Sequence, residues 1–284
     1  MPPNGLMRIQ SSTLTSVGVA TAATAAAALF KNERGGREAA ERFAAAALES
    51  LLNAIDANDA ETGAHVRRVA TYALILADAA ALDDHEKRII EQVALFHDIG
   101  KIHQALFDII HEDRRLTPAE HRAILTHPQR GADVLAPLQA FYPELPQGVL
   151  SHHERWNGSG YPRKLKGRRI PLSARIIAIA DTFDAITHTR RYRPGRSAEI
   201  ARDIILAGRG TEFDPALVDL FVLPPVFERI LVTEQTVERW KVPIKQRRRG
   251  EREPHVPDIT FRWRPGRSGA RGQPVTDRPR QTER

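Results

Sequence analysis

Apolar residues recur at three- and four-residue spacing over most of the chain between about residues 35 and 230. This spacing places side chains on one face of an α-helix, whereas a half-buried strand requires strict alternation. No segment shows sustained alternation between turn residues. With 42% hydrophobic residues the chain can also form a sizeable core. The sequence therefore predicts an all-α body, which we place at residues 35–232.

Capping residues and glycines indicate where the individual helices begin and end. Thr117 is followed by Pro118 and, three residues on, by Glu120, which is the pattern of a capping box. Asp214 is the expected cap of the last helix, and residues 231–244 are predicted to form a docked strand or a turn. The predicted helices start near residues 35, 117 and 128, and elsewhere cover 62–80, 84–96, 146–153, 173–188, 197–210 and 214–222.

The two flanks of the body differ from it in composition. Residues 1–34 are alanine-rich and are predicted as a poorly ordered or helical lead-in, with an export signal as the alternative. Residues 233–284 form a basic tail rich in Arg, Pro and Gly, predicted to be disordered because it cannot bury enough apolar surface. Residues 239–284 alone hold 14 of the 42 Lys and Arg but only 5 of the 35 Asp and Glu. A solvated extension is favoured over a tail that binds nucleic acid or an acidic membrane surface.

The chain contains no cysteine, which excludes disulfides and thiolate metal sites. Any bound metal must be held by His, Asp and Glu, a ligand set that favours iron, manganese or catalytic zinc. The absence of cysteine fits a reducing cytoplasm, where we place the protein. No run of about 18 apolar residues is present, so no transmembrane helix is predicted.

Histidines and carboxylates recur within the apolar helical segments, most clearly in "LFHDIGKIHQ" at residues 95–104. Each has an ordinary alternative explanation as a core hydrogen-bond partner, a helix cap or a solvated charge. Burying all of them without strong partners would cost about 1–3 kcal/mol each. Two or three metal ions, bridged by a carboxylate such as Asp98, would satisfy the set and suit phosphate-ester hydrolysis. The groups are Glu61, His65, His97, Asp98, His127, His152, His153, Asp181 and Asp184.

A glycine-rich basic loop, "WNGSGYPRKLKGRRIP", follows the histidine doublet directly. Gly158 and Gly160 allow close backbone approach to a ligand, and Tyr161 can stack on a base or close over the site. The loop's lysines and arginines can contact phosphate. The alternative is an ordinary basic surface loop.

Three stretches of the sequence resemble the HD-GYP domain, a branch of the HD superfamily of metal-dependent phosphohydrolases. They are "HDIGK" at 97–101, "HHERWNGSGYP" at 152–162 and "ARIIAIADTFDAITHTRRYR" at 174–193. The resemblance extends over about residues 51–223. It implies an HD-type helical bundle that hydrolyses cyclic di-GMP to pGpG, GMP or both by a metal-bridged hydroxide. It also implies two or three divalent ions, with Fe or Mn favoured.

The resemblance also implies roles for individual residues. Asp98 would bridge two ions, and Lys101 would contact the scissile phosphate, so that these two form the catalytic pair. Asp184 matches a motif position, with a role behind the ligands or at the edge of the metal site. The residues that match metal ligands are Glu61, His65, His97, Asp98, His127, His152, His153 and Asp181, with Glu61 and His65 completing a third position. The substrate-binding set is Lys101, Gly160, Tyr161, Pro162, Asp184, Arg190 and Arg193.

The chain departs from the family pattern at two places. After Ile102 it reads "HQALFDIIHEDRRLT", where the family usually continues with a Gly-Ile-Pro motif, and Asn157 stands where aspartate is usual. A catalytically weak cyclic di-GMP receptor or interaction module of the same fold is therefore the alternative function. An HD hydrolase of another nucleotide is a second alternative, against which the Gly-Tyr-Pro loop argues. A protein partner at this loop is a further expectation.

Overall fold

Helices form nearly all the regular structure in the computed structural model, which describes residues 34–102, 117–188 and 194–240. Short 3-10 turns join some of them, and one isolated bridge pairs Arg209 with Phe213. Within the described ranges no β-strand is present, which confirms the all-α prediction. The α-helices there are α1 Arg34–Asn58, α2 Ala60–Ala79, α3 Asp84–Phe96, α4 Pro118–Ile124, α5 His127–Leu135, α6 Leu145–Ser151, α7 Leu172–Thr187, α8 Ala198–Ala207, α9 Pro215–Phe221 and α10 Pro224–Trp240.

Helices α2 and α7 lie at the centre of the bundle. Helix α2 packs against α1, α3, α7, α9 and α10, and α7 also contacts α3, α6 and α8. Both helices present buried apolar side chains on more than one face, including Val69, Tyr72 and Leu76 on α2. A helix that is buried on several sides can place polar side chains inside the core, and α2 and α7 supply several of the polar site residues described below.

Local sequence signals account for most of the helix ends. Asp83 and Glu86 form a capping box at the start of α3, and Thr117 and Glu120 form the predicted one at the start of α4. Asp214 caps α9 by accepting a hydrogen bond from the backbone N–H of Ala216, also as predicted. The predicted range 84–96 matches α3, and the other predicted ends differ from the observed ends by a few residues at most.

The prediction of a docked strand or turn at residues 231–244 is wrong as far as Trp240. Helix α10 runs from Pro224 to Trp240, so the predicted body boundary at residue 232 falls inside a helix. Val226, Phe227 and Ile230 are buried at helical spacing and anchor the first half of α10 against the core. No Pro or Gly interrupts the sequence between Pro225 and Pro243, so nothing local ends the helix earlier.

Several predicted features lie outside the described residues. They are the lead-in before residue 34, most of the altered segment after Lys101 at 103–116, the stretch 189–193 that contains Arg190 and Arg193, and the tail from 241 onward. In the part of the chain that is described, no helix has the length and apolar character needed to cross a bilayer.

A cluster of aromatic rings joins α2, α7, α9 and α10. The ring of Phe183 makes edge contacts with Tyr72, Phe221 and Phe227, with centroid distances of 5.2, 5.7 and 6.2 Å. Phe221 also contacts Phe227 at 5.9 Å and is 1% exposed. The cluster therefore fixes α7, and with it the polar residues of α7, against α2.

We expect Phe221→Ala to lower the free energy of unfolding by about 3–5 kcal/mol, because it removes a fully buried ring and leaves a cavity. The matched control is Phe43→Ala on α1, where the ring is 39% exposed and the change should be within about 0.5 kcal/mol. Urea denaturation of both variants measures the difference. Equal losses in the two would contradict the packing described here.

Candidate metal centre

His97 and Asp98 lie where α3 ends and a 3-10 turn over Ile99–Ile102 begins. Helix α5, which starts at His127, packs directly on this turn. A Cβ atom on Gly100 would lie 2.1 Å from the carbonyl oxygen of His127, so only glycine allows the approach. The turn and the start of α5 thus bring the two histidines to the same carboxylate.

Three histidine rings are held in one orientation by free carbonyl groups at helix ends. In each, the ring Nδ1 lies 2.6–2.7 Å from the carbonyl oxygen three residues earlier. The last carbonyls of a helix have no partner within the helix, and a carbonyl only accepts, so Nδ1 must carry the proton. The second ring nitrogen, Nε2, is then the one with a free lone pair. The pairs are His97 with Ala94, His127 with Ile124 and His152 with Val149.

The Nε2 atoms of four histidines surround the two oxygens of the Asp98 carboxylate. His65 and His97 face Oδ2, with N–O distances of 3.8 and 3.6 Å. His127 and His152 face Oδ1, at 3.3 and 3.9 Å. The carboxylate therefore lies between two groups of rings, which is the arrangement of a group able to bridge two ions.

Two sets of potential ligand atoms lie close enough together to hold a metal ion. His65, His97 and Asp98 form one set, which we call the inner cluster. The other, the outer cluster, has three histidines: His127, His152 and His153. Within each cluster the three ligand atoms lie within 4.8 Å of one another.

The unsatisfied atoms around Asp98, in both clusters, fit bound cations. His65 Nε2, His97 Nε2 and Asp98 Oδ1 are buried and make no hydrogen bond. Leaving such atoms without partners costs about 1–3 kcal/mol each. In addition, the Nε2 atoms of His127 and His152 lie 3.1 Å apart although each ring donates through Nδ1. A divalent cation would accept these facing lone pairs and would also give the buried acceptors a partner. The site can therefore hold metal ions.

The protonation states also suit metal binding. Burial lowers the pKa values of His97, His152 and His153, in the last case to about 4. Burial opposes ionisation of Asp98, but the neighbouring Lys101 and His97 outweigh it and hold the pKa of this carboxyl well below its usual range. Neutral imidazoles and an ionised carboxylate are the forms that bind divalent cations.

Asp181 and Lys101 lie on the accessible side of the centre. Asp181 Oδ1 is 3.4 Å from His65 Nε2, and the Asp181 side chain is 22% exposed. The ammonium of Lys101 donates to Asp98 Oδ2 at 2.6 Å and its side chain is 28% exposed. A ligand approaching from this side would meet one carboxylate and one ammonium before the buried rings.

The remaining predicted metal ligand, Glu61, is not brought into either cluster. It lies one turn before His65 on α2, is exposed, and its backbone N–H donates to Asp59. The two clusters therefore hold six of the eight predicted ligands, and Asp181 lies beside them, 3.4 Å from His65, whereas Glu61 belongs to neither. Arg190 and Arg193 lie outside the described residues.

The Gly160–Pro162 segment packs directly against the histidine doublet. The ring of Tyr161 stacks on that of His153, with centroids 4.9 Å apart and planes 20° from parallel. The Tyr161 backbone N–H donates to the carbonyl of His153 at 3.3 Å. A Cβ on Gly160 would lie 2.5 Å from the Cα of Glu154, so this backbone approach also requires glycine. The segment thus forms one wall of the centre.

Glu154 holds this wall in place, a role that the sequence reasoning missed. Its buried carboxylate accepts hydrogen bonds from the backbone N–H groups of Arg163 at 2.7 Å and Leu165 at 3.0 Å. The guanidinium of Arg163 in turn donates to Ser151 and Gln147 on α6. The position of Glu154 directly after two predicted ligands could have indicated a role at the site. Its partners are backbone N–H groups, however, and a sequence does not identify such partners.

Asp184 lies behind His65 rather than on the accessible side. It is 1% exposed, and its carboxylate accepts from His65 Nδ1 and from both nitrogens of an Arg68 fork. These contacts support the role behind the ligands, not contact with substrate. Arg68 was not singled out in the sequence because charged residues on α2 normally face solvent.

Fold and site together define an all-helical protein with a histidine–carboxylate centre for divalent metal ions. A model of the HD domain matches residues 49–217, more than half of the chain, and the chain belongs to this family. The family predicted from the three motifs is thereby confirmed.

The relatives found by sequence are phosphodiesterases of cyclic dinucleotides by name. The chain is 38% identical over 175 residues to 3'3'-cGAMP-specific phosphodiesterase 2 of Vibrio cholerae, covering 61% of this chain and 33% of that protein. It is also 38% identical over 174 residues to the cyclic di-GMP phosphodiesterase response regulator RpfG of Xanthomonas campestris, covering 61% and 46%. The chain spans a third to a half of the length of its curated relatives.

Among solved structures, the chain resembles that of a cyclic GMP-AMP specific phosphodiesterase of Vibrio cholerae. The TM-score is 0.50 and the identity 24%, over 70% of this chain and 53% of the other. At this identity the likeness supports the helical fold alone.

We expect Mn(II) to raise the melting temperature of metal-free protein, because an ion that binds only the folded chain at 100 times its Kd contributes about 2.7 kcal/mol. Asp98→Asn should greatly reduce the shift, since both clusters face this carboxylate. Asp133→Asn, at an exposed position of α5, is the control and should keep it. Differential scanning fluorimetry measures all three proteins. An equal shift in Asp98→Asn would exclude Asp98 as a shared ligand.

We expect Glu154→Gln to loosen the wall that carries Tyr161. A glutamine offers one acceptor and points an N–H group at the second backbone donor, which costs about 1–3 kcal/mol. Limited trypsin digestion should cleave faster within residues 163–169, while peptide mapping shows other sites unchanged. Glu144→Gln, on the exposed surface before α6, is the control. Unaltered cleavage in Glu154→Gln would mean that the carboxylate does not anchor this segment.

Proposed function

We propose that the chain is a metal-dependent phosphodiesterase that hydrolyses cyclic di-GMP to pGpG, GMP or both. The observation that carries the proposal is the convergence of four ring Nε2 atoms on the two oxygens of Asp98, beside the ammonium of Lys101. The names of the relatives supply the substrate class, since the two relatives reported above are each named as a phosphodiesterase of a cyclic dinucleotide. The centre itself suits any phosphate diester.

Divalent ions bound at the two clusters would supply Lewis acidity toward phosphate and a nucleophile at neutral pH. The protein's own groups do the rest. The rings hold their lone pairs in fixed directions, and Asp98 and Asp181 supply negative charge that balances the ions. Lys101, on the accessible side, binds the phosphate and stabilises the charge that develops on it. The buried walls keep bulk water away from these charges.

We assign two or three ions to the site, with Fe or Mn favoured. Imidazole and carboxylate ligands without sulfur suit these metals. The inner and outer clusters account for two positions. The third would use Glu61 together with His65, since the two lie four residues apart on α2 and share a face.

The substrate-contacting set is proposed to comprise Lys101, the Gly160–Pro162 wall, Arg190 and Arg193. Tyr161 presents an aromatic ring beside the outer cluster on which a guanine can stack. Arg190 and Arg193 follow α7 in sequence and would bind guanine or phosphate. Asp184 is left out of this set because its carboxylate is buried against His65 and Arg68.

3'3'-cGAMP is a second candidate substrate. The relative named for it matches with the same identity as the one named for cyclic di-GMP. Both nucleotides are rings closed by two phosphodiester groups and both contain guanine, so the centre suits both. A protein partner at the Gly-Tyr-Pro wall, and the cytoplasmic location, stay predictions.

The test is an assay of anaerobically purified protein loaded with Fe(II) or Mn(II). Cyclic di-GMP and 3'3'-cGAMP are supplied separately, and products are resolved by chromatography. Asp98→Asn should lose at least about 100-fold in turnover, since even residues behind metal ligands cost up to that factor. Asp133→Asn is the matched control and should keep wild-type turnover.

The outcomes separate the candidate functions. Linear product from cyclic di-GMP supports the proposal. Faster hydrolysis of 3'3'-cGAMP would mean that the reaction is as proposed but that 3'3'-cGAMP is the preferred substrate. Binding of cyclic di-GMP without turnover by either metal form would replace the enzyme by the receptor and direct attention to the altered segment after Lys101.

A further inference from the structure

Arg68 and Asp184 form a buried ion pair between α2 and α7. Arg68 Nε lies 2.5 Å from Asp184 Oδ1, and its terminal nitrogen lies 2.9 Å from Oδ2. Both residues are nearly inaccessible, at 6% and 1% exposure. Such a two-point contact fixes the plane of the carboxylate as well as its position.

The Asp184 carboxylate accepts three hydrogen bonds from buried side chains and lies close to a fourth group. Besides the Arg68 fork, Oδ2 accepts from His65 Nδ1 at 2.7 Å, and Oδ1 lies 3.2 Å from His188 Nδ1. An ionised carboxylate has about four lone-pair sites, and the hydrogen bonds from Arg68 and His65 use three of them. Both oxygens of this buried carboxylate are thus engaged with α2, which fits a role in orienting its neighbours.

His65 depends on this carboxylate in a way that the other rings do not. His97, His127 and His152 are oriented by carbonyl groups left free at helix ends. His65 lies inside α2, where the backbone carbonyls are used within the helix. Its Nδ1–H therefore needs a side-chain acceptor, and Asp184 supplies it.

We propose that Arg68 is a positioning residue for the metal centre: by fixing the Asp184 carboxylate, it holds His65 with Nε2 aimed at the inner cluster. The Nε2 atom lies 3.4 Å from Asp181 and 3.8 Å from Asp98 only while Nδ1 is tied to Asp184. The proposal takes the inner cluster as a metal site, as the proposed function does, but it does not depend on which substrate is hydrolysed.

The alternative is that Arg68 only clamps α2 to α7. The chain offers a matched control in the preceding residue. Arg67 also contacts both oxygens of one carboxylate, at 2.5 and 2.6 Å from Asp56, and joins α2 to α1, although this pair is partly exposed. A role as a clamp between helices would apply to both arginines, whereas a role at the metal centre applies to Arg68 alone.

The test compares Arg68→Lys with Arg67→Lys, because lysine keeps the charge but cannot form the fork. Mn(II) binding is measured by equilibrium dialysis with elemental analysis, in the absence of any nucleotide. We expect one class of Mn(II) site to bind about 10- to 100-fold more weakly in Arg68→Lys, with the other class unchanged. Arg67→Lys should bind as the wild type does.

A second readout follows the His65 ring itself. In metal-free protein labelled with ¹⁵N-histidine, long-range ¹H–¹⁵N spectra distinguish a ring protonated at Nδ1 from one protonated at Nε2. We expect His65, assigned through His65→Gln, to be protonated at Nδ1 in the wild type and in Arg67→Lys. In Arg68→Lys it should be a mixture of the two forms.

Each result decides the proposal. Unchanged Mn(II) binding and an unchanged ring in folded Arg68→Lys would overturn it, and so would equal weakening in the two arginine variants. If Arg68→Lys does not fold, Asp184→Asn replaces it, with the same expected loss at one class of site. If cyclic dinucleotides are not hydrolysed but Mn(II) binding changes as expected, the proposed function fails while the role of Arg68 stands.

Discussion

One buried carboxylate, that of Asp98, places the strongest constraint on this fold. A charge that is 5% exposed must be compensated, and the only cation in hydrogen-bonding contact with it among the described residues is Lys101. The other groups around it are imidazoles whose lone pairs point inward. The helices that carry these rings must therefore place each Nε2 atom at a distance from Asp98 that leaves room for an ion, rather than at hydrogen-bonding distance.

The bundle meets this constraint by orienting the metal-ligand imidazoles with carbonyl groups at helix ends. The last carbonyls of a helix lack partners within the helix. In α3, α4 and α6 such a carbonyl accepts the Nδ1–H of a ring placed just beyond or at the helix end. The hydrogen bond from Nδ1–H thus gives a free carbonyl at the helix end its partner. It also selects the tautomer and directs Nε2 toward Asp98. This explains why histidines stand beside helix boundaries in this sequence, where a core hydrogen bond alone would not require it.

How much the sequence predicts depends on whether a feature is local. The helical period and the caps at Thr117 and Asp214 are local, and they give the helices to within a few residues. The ligand set follows from residue types and motif resemblance. The partners of Glu154 and Arg68 do not follow, because they lie on other segments or are backbone groups. The extent of α10 does not follow from composition, because its second half is polar, yet neither Pro nor Gly lies between Pro225 and Pro243 to end the helix.

The imidazole rings are oriented either by a backbone carbonyl or by the Asp184 carboxylate. The inner and outer clusters therefore differ in how firmly their rings are held. Rings tied to helix carbonyls are as stable in orientation as the backbone itself, and His127 and His152 give the outer cluster two of them. The inner cluster has one such ring, His97, and one ring, His65, that depends on a carboxylate from another helix. Small shifts between α2 and α7 therefore change the inner cluster first. The packing of aromatic rings that joins α2 to α7 therefore helps to maintain the geometry of the inner cluster.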